Sequence, residues 1–383
     1  MGIKPTIVVV AYRRLDTLSR LLESVNNGYY SSNDVRLIIS IDYHKENQDV
    51  INYSEGYNWL HGEKIVVKHD ANLGLRKHII ECGDYALKYD SIIILEDDEV
   101  VAPNFYEYAR LAQDYYADEE RVAGVSLYSH EWNIYAGKKF QPIKKTGDVF
   151  FGQFSCTWGQ SWTSSQWSLF KEWYANNDEI IVDEKLPSPI YAWKESWGKY
   201  FIRYLVETDR YYVLPYHAYS TVYGVPGVHS KHVELDVQVS LNQGMDSPRF
   251  TRFDDGSHYD SFFENKDLVE VISKRYNISP DEICIDIYGS NRKEYFNRRY
   301  ILTTKKLNYK VIDSFELNSR PQEMSVITNS QGNSVMLYDR SVACKNTIYR
   351  RKNRVLFDLA GVKAGDAVFY LISHIGDIIK RQL

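Results

Sequence analysis

The sequence predicts an α/β protein built on a mostly parallel, doubly wound sheet, and two observations carry that prediction. Four short aliphatic runs, Thr6–Val10, Leu37–Ile41, Ile65–Val67 and Ile92–Leu95, fall within the first hundred residues. Each is short and apolar enough to be a strand buried on both faces. Between the first and second, Leu18, Leu21, Leu22 and Val25 recur at helical spacing; after the third, Leu75, Ile79, Cys82, Ala86 and Leu87 do the same. Strands alternating with helices imply a parallel sheet covered on both faces, with ligands bound beyond the carboxyl ends of the strands.

Downstream, Pro103 suits the first turn of a helix running to about Tyr116. The Trp- and Tyr-dense stretch Val122–Tyr223 predicts helices near Ser165–Tyr174 and Ala192–Glu207 and reads as the acceptor side. Gly224–Ser257, rich in Gly, Pro, Ser, His and Asp, reads as a long loop, with Val225–Gly244 as a lid. From about Ile301, alternating runs at Ser325–Leu337 and Val355–Ile372 predict a small β-rich appendage. The expected division is therefore 1–300, split into a nucleotide-sugar half (1–120) and an acceptor half (121–300), followed by an appendage at 301–383.

Composition bounds the function. A hydrophobic fraction of 44% with 25% charged residues excludes global disorder. A net charge of −5 argues against broad nucleic-acid binding, so any phosphate must be met locally. Thirty-two Tyr and eight Trp offer flat faces suited to sugar rings as well as to cores. The four cysteines, Cys82, Cys156, Cys284 and Cys344, form no CxxC pair, which points to neither a zinc site nor a disulfide framework. Met1 leads into the first strand without a leader-like stretch, and no apolar run approaches a membrane span. The expectation is a cytoplasmic protein with at most peripheral membrane contact.

The residues that follow the strands carry the chemistry. Strand four ends in Glu96-Asp97-Asp98, an oxygen donor set suited to Mn²⁺ or Mg²⁺, with phosphate oxygens and water completing an octahedron. The same acids also make sense as a solvated turn favouring the next helix. Arg14 follows strand one and Asp42 ends strand two, where a guanidinium meets phosphate or base edges and a carboxylate accepts bonds from uracil or ribose. Arg76 and Lys77 open the third helix, beside the position of a diphosphate. Trp162 and Trp167 read as core, while Trp158 is open between core and sugar stacking.

The run Ile94-Leu95-Glu96-Asp97-Asp98-Glu99-Val100-Val101-Ala102-Pro103-Asn104-Phe105 closely resembles the metal-binding strand of the N-acetylglucosaminyltransferase I family. The resemblance extends to Ala11-Tyr12-Arg13-Arg14, Ile39-Ser40-Ile41-Asp42, Gly159–Trp173, Trp193–Trp197 and Tyr219–Ser230, or roughly the first 245 residues. It implies the GT-A fold and an inverting transferase that uses a UDP-sugar. Asp98 would ligate Mn²⁺, Glu96 and Asp97 would touch the ribose and phosphate region, and Arg14 and Asp42 would hold the donor. His229 and Ser230 would meet it from the loop. Where the family carries an aspartate as catalytic base, this chain reads Lys194-Glu195-Ser196-Trp197, so the role passes to Glu195, with Asp183, Glu184 and Asp209 as fallbacks. The implied acceptor is a hydroxyl of a glycan or lipid-linked saccharide. Two other readings stay open: a nucleotidyltransferase, although Arg13-Arg14-Leu15-Asp16 stands where its glycine-rich loop belongs, and an inactive sugar-binding or scaffold protein.

Overall fold

The computed structural model describes residues 2–177, 179, 183, 185–194, 196–223, 237–290 and 297–382. The first half unfolds as the aliphatic runs dictate. β1 (Thr6–Ala11), α1 (Leu15–Asn26), β2 (Leu37–Ile41), α2 (Gln48–Gly56), β3 (Lys64–Lys68), α3 (Leu75–Gly83), α4 (Tyr85–Tyr89) and β4 (Ser91–Glu96) follow one another. A short β5 (Glu99–Val101) and α5 (Phe105–Tyr115) come next. Then come β6 (Val122–Ser126), a small hairpin of β7 (Trp132–Asn133) and β8 (Lys138–Lys139), β9 (Val149–Gly152), β10 (Gln160–Thr163), α6 (Ser164–Ala175), α7 (Gly198–Glu207), β11 (Tyr211–Pro215), β12 (Ser220–Val222) and β13 (His258–Tyr259).

Nine strands form one sheet in the order β13-β9-β11-β6-β10-β4-β1-β2-β3. β3, β2, β1 and β4 are mutually parallel. β10 runs antiparallel to both β4 and β6, so the far half of the sheet is mixed, while β11 is again parallel to β6. Successive residues of β1 feed opposite faces, as a strand's two-residue period requires. Ile7 and Val9 pack with Leu18, Leu21, Leu22 and Val25 of α1 and with α5, whereas Val8 and Val10 pack with Ile79 of α3, Trp162, Trp167 and Phe201 of α7. The sheet is doubly wound.

The helix expected after β3 is broken in two. Gly83 ends α3 where an added Cβ would lie 1.9 Å from the Trp167 ring, so only glycine admits the indole. The break shifts the helical phase, leaving Ala86 buried and Leu87 exposed. The segment at 237–257 is irregular apart from one 3₁₀ turn at Phe253–Asp255; residues 225–236 of the expected lid lie outside the described residues.

A second core begins upstream of residue 301. α8 (Asp267–Tyr276) contributes Leu268 and Ile272 to a cluster with β14 (Ile283–Asp286), β15 (Tyr300–Thr303), β16 (Tyr309–Phe315) and β17 (Val335–Ala343), which form a sheet in the order β14-β15-β17-β16. Two expectations for this region are corrected. Ser325–Leu337 is not one strand: α9 (Met324–Ile327) precedes β17. Val355–Ile372 is not strand at all but lies in α10 (Arg351–Asp358) and α11 (Ala364–Gln382). Its β-branched and aromatic residues recur at three- and four-residue steps, which place them on a helix face and outweigh their strand propensity. Among the described residues, no helix is long and apolar enough to cross a membrane.

Candidate active site

The chain leaves β1 outward through β2 to β3, then returns to lay β4 on the other side of β1. The order therefore reverses between β1 and β4, and the crevice beyond their carboxyl ends is where an open α/β sheet accepts ligand. Arg14 follows β1 and the acidic run follows β4, so both flank this crevice.

The two sides are joined. The Arg14 guanidinium hydrogen-bonds Asp97 and pairs with Asp98 Oδ2 at 2.8 Å through the same nitrogen. Asp97 is almost fully buried, and burial pushes its carboxyl up to about 6 against the opposing pull of Arg14. Glu96 is raised well above the ordinary carboxylate range, first by burial and then by the charges of Asp98 and Asp97.

Glu99 is the residue the sequence reading missed. Its carboxylate turns back to accept the Glu96 backbone N–H at 2.9 Å, which closes the tight connection from β4 to β5. The side chain is fully buried, and burial again pushes its carboxyl well up against the pull of the backbone N–H groups of Glu96 and Gly159. The only sequence signal was a fourth acid directly after the run. β5 pairs antiparallel with β12, and the Tyr223 backbone N–H donates to the Asp98 carbonyl at 2.7 Å. Arg20 of α1 lies over the Tyr223 ring at 4.3 Å. Trp158, half-buried, leans on Tyr128 at 4.8 Å, and its carbonyl accepts from Ser220 Oγ at 2.6 Å. Trp162 and Trp167 are core, as expected.

Asp42 lies at the end of β2 and organises the neighbouring wall. Its Oδ1 accepts the backbone N–H groups of Tyr43 and Leu73, both at 2.8 Å, and its Oδ2 accepts that of Gly74 at 3.1 Å. Gly74 has φ +75°, which favours glycine, and directly precedes α3. Arg76, in the first turn of α3, donates to Tyr200 Oη of α7 at 2.6 Å instead of reaching the carboxylates. Below this wall Ser40 Oγ lies 2.8 Å from His78 Nε2 and 3.2 Å from His69 Nε2, and burial lowers His78 to about 4.

The structure thus brings together Arg14, Glu96, Asp97 and Asp98, with Asp42 and Arg76 on an adjoining wall. Glu195, His229 and Ser230 lie outside the described residues, as does Glu184. Asp209 is removed as a fallback base: it precedes β11, which runs parallel to β6 and hence to β4, so it stands at the opposite edge of the sheet. Its carboxylate is held there by Gln153, Tyr211 and Lys266.

Among the described residues, no three His, Cys, Asp or Glu side chains form a ready metal cage. That is compatible with Mg²⁺ or Mn²⁺, because a hard cation of this kind commonly takes one or two carboxylates and completes its shell with phosphate and water. Asp98 supplies a suitable oxygen, and Arg14 stands there as the described counter-charge. On the same edge, past the ends of β11 and the start of β9, a cavity of about 400 Å³ is lined by Asp148, His217, Tyr219, Asn242, Asp246 and Arg249.

No family model matches the chain, and no curated protein matches it. Among solved structures it is similar to Staphylococcus aureus TarS residues 1-349 in complex with UDP, at 14% identity and TM-score 0.37, covering 57% of this chain and 60% of that one. It is also similar to GalNAc-T7 with UDP, GalNAc and Mn²⁺, at 14% identity and TM-score 0.38, covering 56% of this chain and 43% of that one. The chain therefore spans less than two thirds of the length of either protein.

Proposed function

We propose that this chain is a GT-A-type glycosyltransferase that moves a sugar from a UDP-sugar to a hydroxyl of a glycan or lipid-linked acceptor, with inversion. The observation that carries the reading is the Arg14–Asp97–Asp98 cluster, formed by residues from the ends of β1 and β4 at the reversal point of the sheet. Breaking the bond between an anomeric carbon and a diphosphate requires the leaving charge to be met by cations. Asp98 would hold Mn²⁺ or Mg²⁺, which supplies that neutralisation when bound. Arg14 can exchange these carboxylate oxygens for phosphate oxygens, which its guanidinium fork meets in bidentate geometry. Asp42 and the Leu73-Gly74 backbone would bound the nucleoside, and His229 and Ser230 would close on the diphosphate.

Inversion is a single in-line displacement, so one carboxylate must take the acceptor proton as the oxygen attacks. Glu195 is assigned that role because it lies in the motif where the resembled family carries its base. The cavity lined by His217, Asn242 and Arg249 supplies the polar groups and the volume for a saccharide acceptor. Thermal-shift and hydrolysis measurements with UDP-, GDP- and CMP-sugars, each with and without Mn²⁺, test the reading. A UDP-sugar should raise Tm and release UDP only with the metal. A response to nucleoside triphosphates instead would favour nucleotidyl transfer, and no response to any nucleotide would leave a binding or scaffold role.

A further inference from the structure

We propose that α10 and α11 form an interfacial anchor that lays this protein on an anionic lipid bilayer. On α11, Val368, Leu371, Ile372 and Ile375 are spaced i, i+3, i+4, i+7, so they share one stripe, and they remain 55% to 65% exposed. α10 is committed on its opposite face. Its Arg354 donates to the Ile287 carbonyl at 3.1 Å and to Gln322 Oε1 at 3.2 Å, and pairs with Asp358 at 2.8 Å. With that face docked on the second core, Leu356 and Leu359 turn outward and stay about half exposed. Large apolar side chains left exposed on both helices in this number mark a binding face and not an ordinary exterior.

Charge selects the occupant. Residues 350–382 carry seven Lys and Arg against three Asp, in a chain whose net charge is −5. Arg351 and Lys352 are exposed and form no ion pair among the described residues. A second copy would bring like charge to like charge, whereas an anionic bilayer neutralises the cations and takes up the apolar stripe. Among the described residues neither helix is long and apolar enough to cross a membrane, so the pair lies in the interfacial plane.

The test is co-sedimentation of the full chain with vesicles of phosphatidylcholine alone or of phosphatidylcholine mixed with phosphatidylglycerol. Binding should require the anionic lipid and weaken with added salt. Each cation near such a surface is worth roughly a five-fold change in partition, so Arg351→Ala with Lys352→Ala should cost about 25-fold. Leu371→Asp with Ile372→Asp should release the protein, with Tm unchanged because the replaced side chains are exposed. Equal affinity for both vesicle types, retained binding in either double variant, or no binding together with self-association that Leu371→Asp abolishes would each overturn the proposal.

Discussion

Of the regions of this molecule that bury carboxylates, two do so to opposite ends. At the β4–β5 connection four acids in sequence stand at a strand edge, with a guanidinium on two of them and the backbone N–H groups of Glu96 and Gly159 on a third. In the second core Glu323 is fully buried, and neither of its oxygens meets a donor from another described residue. Burial pushes its carboxyl up to about 8. Its charge partners are Tyr259 and Tyr288, whose phenols it pushes further up. The contrast separates a cluster held ready for positive charge from a lone acid that folding keeps neutral.

The sharpest way to break this contrast is to remove the acid assigned to the metal. Asp98→Ala should abolish Mn²⁺-dependent turnover while Tm holds, because the side chain is partly exposed and the turn is closed by Glu99. Turnover with unchanged metal dependence would remove the assignment. Next in size, Glu195→Gln should lower kcat by a factor of about 10²–10⁴ while UDP-sugar binding survives. Retained kcat, or a product keeping the donor's anomeric configuration, would refute the base.

Glu323→Gln addresses the other side of the comparison. A carboxyl raised from 4.5 to about 8 on folding costs nothing below about pH 4.5, where it is neutral in both states. Stability is then lost as pH rises toward 8, because only the unfolded chain ionises freely. The variant should therefore match the parent at low pH and exceed it by on the order of a few kcal/mol near pH 8, read from denaturant unfolding. A gain that is flat with pH would mean that Glu323 is not the group responsible. The smallest effect is expected from Arg14→Ala, which leaves Asp97 buried without its counter-charge. We expect a loss of about 1–3 kcal/mol, kept below the fully buried case by partial solvent access, with added Mn²⁺ recovering part of it.

The parts of the fold that sequence alone revealed are those whose local pattern and burial agree. Leu37–Ile41 is wholly aliphatic but for Ser40 and is buried along its whole length, so its limits were legible to the residue. Val355–Ile372 misled because β-branched side chains on an exposed helix resemble a strand when counted without phase. The mixed far half of the sheet was illegible for another reason: β10 joins β4 to β6 out of chain order, and nothing in Gln160–Thr163 announces that pairing. At the candidate site, the meeting of Arg14 with Asp97 and Asp98 was legible because topology sends both strand ends to one crevice. Glu99 could not, since its role depends on a side chain folding back across a turn that exists only in three dimensions.

The three backbone N–H groups gathered on Asp42 have a consequence for selectivity. Leu73 and Gly74 are already fixed when a ligand arrives, so the ordering entropy of that wall, about 1–2 kcal/mol per residue, belongs to folding and not to recognition. Under the proposed nucleotide-sugar reading, a wall of this kind cannot remodel itself around a larger base. It discriminates as a gauge does, by refusing what does not fit, and loosening it with Asp42→Ala should widen the range of nucleotides accepted while weakening the hold on each.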